Sequence, residues 1–114
     1  MRINSIKFGN IVIEGKDYAS DVIIYHDRVD ASWCRKEGHR LQPGDLTEAL
    51  NAQPDVLIIG TGHAGVLIVP KEITTHLASL GIEVMAEKTP KAVELYNSFL
   101  GTKTYAIAAL HITC

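Results

Sequence analysis

Three apolar runs in the second half of the chain, Val56–Ile59 (VLII), Ile82–Ala86 (IEVMA) and Tyr105–Ile112 (YAIAALHI), alternate with two stretches of helical periodicity. No other feature constrains the fold as tightly. VLII is short and continuously apolar, the mark of a strand buried on both faces. The stretch from about Lys71 to Leu80 follows Pro70 and precedes Gly81, residues suited to a helix start and to the position just past a helix end. Its apolar stripe is Ile73, Leu77 and Leu80. The second stretch has Thr89 as its expected cap, Pro90 in its first turn and Gly101 at its end. Ala92, Val93, Tyr96, Phe99 and Leu100 fill one face. Strand–helix–strand–helix–strand predicts a largely parallel sheet with right-handed crossovers, a C-terminal βαβαβ unit.

The first third reads as β. Ile3, Ile6 and Phe8, then Ile11 to Ile13, flank a Gly9-Asn10 turn and predict a hairpin. Asp21–Tyr25 (DVIIY) is a short apolar strand, and Arg28–Ser32 is expected to pair back on it. These segments should extend the C-terminal sheet or pack beside it. Between the halves lies a polar, irregular stretch, Trp33 to Leu46. It leads into a short helix with Asp45 as N-cap, Glu48 three residues later, and an end near Asn51 before Gln53-Pro54. The class is α/β, in a single domain spanning 1–114, a length that fits one core.

Hydrophobic residues make up 46% and charged residues 21%, so the chain buries enough apolar surface to fold alone and is not disordered. Its 11 Lys and Arg are scattered, which argues against a nucleic-acid surface. No apolar run reaches the roughly 18 residues of a spanning helix. The opening MRINSIKFGNIVIEG lacks a signal peptide's apolar region, and Cys34 and Cys114 form no framework. A cytoplasmic setting without membrane association is the expectation.

The run from Gly60 to Gly65 (GTGHAG) spells the dinucleotide fingerprint G-x-G-x-x-G, but the context is wrong. In that motif the glycine turn runs straight into a helix whose N–H groups receive a pyrophosphate. Here Val66 to Val69 and Pro70 intervene. Glu87 lies near the spacing of an acidic ribose ligand, but that spacing is counted from the wrong turn. Gly60 and Gly62 instead read as a strand exit, which is where α/β proteins usually place ligands.

The segments SWCRKEGHRL, PDVLIIGTG, VPKEITTHLASLGIEVM and TPKAVELYNSFL...YAIAAL, in that order, resemble a small domain family of uncharacterised biochemical function. The family is named after an archaeal structural-genomics protein. Its animal members include an adipogenesis-associated protein and a mitochondrial respiratory complex I assembly factor. The resemblance spans roughly Asp21 to Leu110 and implies a three-layer fold with a mixed central sheet. It supplies no reaction. Members often carry an arginine shortly before the last strand, where this chain has Lys103.

The residues expected to matter form two groups. Trp33, Arg35 and His39 share one polar loop, with His39 as acid–base and Arg35 as anion clamp. Gly60, Thr61, Gly62 and His63 form the strand exit, and Lys71 and Thr89 sit at two helix starts. Asn97, a poor helix former, reads as a brace to a neighbouring segment. No metal site and no cofactor is read. The histidines lack metal-ligand spacing, and His111 and Cys114, three apart at a strand end, should point to opposite faces. A Cys34–His39 pair and a serine nucleophile elbow lack support as well.

Two functions fit. One is a protein-binding accessory or assembly-type factor, which should expose an apolar patch. The other is an enzyme or binding protein for a small anionic ligand, which requires Arg35, His39 and Lys71 to converge near Gly60–Gly62. The sequence leaves the oligomeric state open.

Overall fold

A computed structural model describes residues 1–35 and 37–114. The strands are β1 (Ile3–Lys7), β2 (Asn10–Ile13), β3 (Lys16–Tyr18), β4 (Val22–Ile24), β5 (Val29–Asp30), β6 (Val56–Thr61), β7 (Glu83–Glu87) and β8 (Ala106–His111). The helices are α1 (Thr47–Asn51), α2 (Lys71–Ser79) and α3 (Thr89–Ser98), with a 3-10 turn at Pro43–Leu46 before α1.

β5, β4, β8, β6 and β7 form one sheet in that order. β6 runs parallel to both β8 and β7, as the alternating second half requires, while β4 pairs antiparallel with β8 and with β5. The central sheet is therefore mixed. β1, β2 and β3 form a separate antiparallel meander. The N-terminal segments thus do both things expected of them: β4 and β5 extend the sheet, and the hairpin packs beside it. β3 was not foreseen, because KDY carries too little apolar content to read as a strand.

The period-2 alternation of β6 and β8 divides the core in two. Ile58, Ala108 and Leu110 face Ala92, Val93 and Tyr96 of α3 and Ile3, Ile11 and Ile13 of the meander. Leu57, Ile59, Ile107 and Ala109 face Ile73 and Leu77 of α2, together with Trp33, Leu41 and Leu46. With both faces covered, the central strands are apolar throughout, and the result is a three-layer α/β domain.

Local punctuation holds at Gly81, which has φ +79 just past α2. Three local expectations need correction. Leu80 does not join the stripe of Ile73 and Leu77: it is the C-cap of α2 and 55% exposed. Asp45 does not cap α1, because the 3-10 turn begins earlier. Its carboxylate instead reaches back to accept the Gln42 N–H at 2.8 Å. Thr89 is the first residue of α3 rather than its cap, and Lys88 takes the cap position. Asn97 does brace a neighbour. Its side chain accepts from the Ile3 N–H at 3.0 Å and donates to the Ile3 carbonyl at 2.9 Å, clamping β1 onto α3. Among the described residues, no helix is long and apolar enough to cross a membrane.

Candidate functional site

β6 and β8 run side by side and end together, with Thr61 opposite His111. The turn after β6 and the segment after β8 therefore share one end of the sheet. Backbone bonds tie them: His63 N–H donates to the Thr113 carbonyl at 2.7 Å, and Val66 N–H to the Cys114 carbonyl at 3.0 Å. The polar loop joins the same end through Ile68, whose N–H donates to the His39 carbonyl at 2.8 Å while its carbonyl accepts from Leu41. The Trp33–His39 loop and the Gly60–Gly62 turn thus meet across the end of β8.

The centre of this end is a buried charge cluster. Asp21, just before β4, accepts from Arg35 Nη2 at 2.8 Å and from His111 Nδ1 at 2.9 Å, both on Oδ2. Its Oδ1 accepts from the Ile112 N–H at 2.8 Å. Arg35 Nη2 and His111 Nδ1 lie 3.2 Å apart, side by side on that oxygen. Burial works against ionisation of Asp21. The hydrogen bonds from His111, the Ile112 N–H and Arg35 outweigh it and hold the carboxyl below its ordinary value of 3.8. In neutral His111 the same pairing sets the proton on Nδ1 and leaves Nε2 as a lone-pair donor, with Thr113 Oγ1 3.4 Å from it.

Arg35 is consumed by structure. Its Nε donates to the Gly38 carbonyl at 3.0 Å, its guanidinium lies over the Trp33 ring, and its Nη1 is buried without a hydrogen-bond partner among the described residues. Trp33 is buried and donates to the Asp45 carbonyl at 3.0 Å. Neither side chain is offered to solvent as the clamp expected of Arg35. His39 is exposed. Its ring stands edge-on to His111, and its Nε2 lies 3.7 Å from Cys114 Sγ.

The glycine turn is packed shut. A Cβ on Gly60 would lie 2.8 Å from both Leu110 Cδ2 and Thr89 Oγ1. Gly62 has φ +98, and a Cβ there would strike the backbone carbonyl of Cys114. The fully buried Thr89 hydroxyl accepts from Gly62 N–H at 2.8 Å and donates to the His111 carbonyl at 2.5 Å, so it fastens the turn to β8. Thr61 Oγ1 donates to the Glu87 carbonyl at 3.1 Å, and His63 packs its ring against Phe8. The N–H groups of Gly62, His63, Gly65, Val66 and Leu67 all have acceptors within the chain. Helix α2 starts only at Lys71, so the turn does not run into a helix as a dinucleotide site requires. Lys71 is exposed at that helix start, and among the described residues no hydrogen bond or ion pair joins its side chain to the cluster.

The structure therefore brings together Arg35, His39 and the Gly60–His63 turn, uses Trp33 and Thr89 as internal braces, and leaves Lys71 apart. Asp21 was missed, and His111 and Cys114 were weighed as a metal-ligand pair and set aside. One signal was present: a histidine closing the apolar run YAIAAL is buried at the end of a central strand, and a buried polar group needs a partner. The expected opposition of His111 and Cys114 fails because β8 ends at His111 and the extended alternation ends with it.

The family described as "Protein of unknown function (DUF498/DUF598)" matches residues 3–111. Among solved structures, a conserved hypothetical protein from Pyrococcus horikoshii OT3 is 30% identical, covers the whole of both chains and superposes with a TM-score of 0.83. A protein named MT938 is 23% identical over 99% of this chain and 98% of its own, with a TM-score of 0.81. A Mth938-like domain from Bordetella pertussis is 18% identical over 97% of this chain and 85% of its own, with a TM-score of 0.68. These last two likenesses speak for the fold alone.

Proposed function

The chain belongs to the DUF498/DUF598 family of proteins of unknown function, and from that premise we propose that it acts by binding another protein, as an accessory or assembly-type factor. The observation that carries the reading is where its exposed apolar side chains lie. Phe8, Val66 and Ile68 are 64%, 40% and 54% exposed. All three border the end of β8: Phe8 against His63, Val66 bonded to Cys114, and Ile68 bonded to the backbone of His39. Large apolar side chains gathered at one end mark a contact surface better than the same residues scattered singly. The anionic-ligand reading has less support. The turn's N–H groups are engaged, Arg35 is paired, and Lys71 stands apart.

A photo-crosslinking residue placed at position 68 in cells tests the proposal, with position 80 as its control. Leu80 is as exposed as Ile68 but sits at the far end of α2, about 14 Å along the helix axis from Lys71 at its start. We expect a discrete crosslinked protein from position 68 and none from position 80. That protein, once purified, should bind the Ile68→Asp variant at least about tenfold more weakly. Equal crosslinking from both positions, or an affinity unchanged by Ile68→Asp, overturns the reading.

A further inference from the structure

We propose that His39, His111 and Cys114 form a binding site for a zinc ion. One ring nitrogen of each histidine and the Cys114 sulfur all lie within 4.8 Å of one another. Their chemistry suits zinc, which takes imidazole nitrogen and thiolate sulfur, whereas magnesium and calcium prefer oxygen. With Zn–N near 2.1 Å and Zn–S near 2.3 Å, a tetrahedral site sets nitrogen and sulfur about 3.6 Å apart. His39 Nε2 and Cys114 Sγ already stand at 3.7 Å.

The surroundings supply a second, independent argument. A histidine that ligates a metal commonly gives its other ring N–H to a carboxylate, which fixes the tautomer and turns the free nitrogen toward the ion. His111 has this arrangement, with Nδ1 on Asp21 Oδ2 at 2.9 Å and Nε2 bordered by the Thr113 hydroxyl at 3.4 Å, a contact an ion can displace. Asp21 is in turn anchored by Arg35 and the Ile112 N–H, so the buried ligand is held before any ion arrives. Arg35 brings a positive charge near the site, and its ion pair with Asp21 offsets it. Three protein ligands leave a fourth position, which the exposed His39 places toward solvent, as in sites that exchange water for another donor. On binding, the Cys114 thiol passes its proton to solvent, so affinity rises with pH.

The test uses the intact chain, kept reduced with a phosphine, and titrates it with Co²⁺ as a spectroscopic stand-in before competing with Zn²⁺. We expect one Co²⁺ per chain, a thiolate-to-cobalt charge-transfer band with tetrahedral visible bands, and their loss when Zn²⁺ is added. Cys114→Ser should abolish the charge-transfer band, and His39→Ala should weaken binding by at least about tenfold. Both residues are at least partly solvent-accessible, so these variants keep the fold. Cys34→Ser, in a residue exposed and outside the cluster, should leave the spectrum unchanged. The proposal fails if no stoichiometric band forms, if the band follows Cys34, or if His39→Ala binds as tightly as the parent chain.

Discussion

Replacing Asp21 with Asn removes a charge while keeping the side-chain shape and the acceptor for Ile112 N–H, so it isolates what the ion pair contributes. The Arg35 side chain is only 6% exposed and that of Asp21 16%. Without the carboxylate, a buried guanidinium keeps Gly38 O and the Trp33 ring as neighbours, and its Nη1 already lacks a partner. Breaking a buried pair from one side costs about 3–5 kcal/mol. Residual solvent contact at Asp21 points to the lower end, about 3 kcal/mol, a large part of the roughly 5–15 kcal/mol that holds such a domain together. At about 4 °C per kcal/mol for a chain of this size, the melting point should fall by roughly 12 °C. Urea unfolding followed by circular dichroism measures the loss, and a double-mutant cycle with Arg35→Met identifies its source. Met keeps an apolar stem on Trp33 and leaves no guanidinium to strand, so Asp21→Asn should be nearly harmless in that background, with a coupling of about 3 kcal/mol. A single-variant loss below about 1 kcal/mol, or two losses that simply add, would refute the argument that the carboxylate holds a buried cation.

Three further outcomes follow from the same geometry. Asp21 titrates below its ordinary value in the folded chain, so its stabilisation is present above pH 3.8 and is lost as pH falls through the folded value. Asp21→Asn should flatten the acid limb of a urea-midpoint profile. Tyr96 is 2% exposed, and burial pushes its hydroxyl up to about 12 from 10. The folded state therefore favours the neutral phenol, and stability should fall by about 2–3 kcal/mol as pH rises through this window, with Tyr96→Phe showing a shallower slope. Thr89→Val keeps the shape but strands Gly62 N–H and deprives the His111 carbonyl of a donor. It should cost about 2–4 kcal/mol in equilibrium unfolding, where an ordinary cap lost at an exposed helix start would cost about 1.

The sequence made local and repeating features legible. Short apolar runs placed β6, β7 and β8, Pro70 and Gly81 bracketed α2, and Gly60 and Gly62 marked a strand exit, because each effect acts within a few residues. The candidate site was only half legible for the opposite reason. Arg35 and His39 stood out as polar residues in a loop, but their partners are far away in the chain: His111 lies 76 residues from Arg35, and Asp21 lies 90 from His111. No periodicity carries such a pairing. Thr89 shows the limit at one residue. Threonine before proline fits a cap by local rules, yet its hydroxyl is taken by Gly62 and His111, which only the parallel pairing of β6 and β8 brings within reach.

The position of β8 has a consequence for how the protein is made. β8 comes last among the strands but lies in the middle of the sheet, between β4 and β6. A ribosome delivers β4 and β6 first, and neither can pair with its final neighbour until residues 106–111 emerge. At about 5–20 residues per second, β6 waits roughly 2–9 seconds with the edge that β8 will pair left open. The nascent chain stays open to a chaperone, or to a wrong strand partner, until β8 fills the gap.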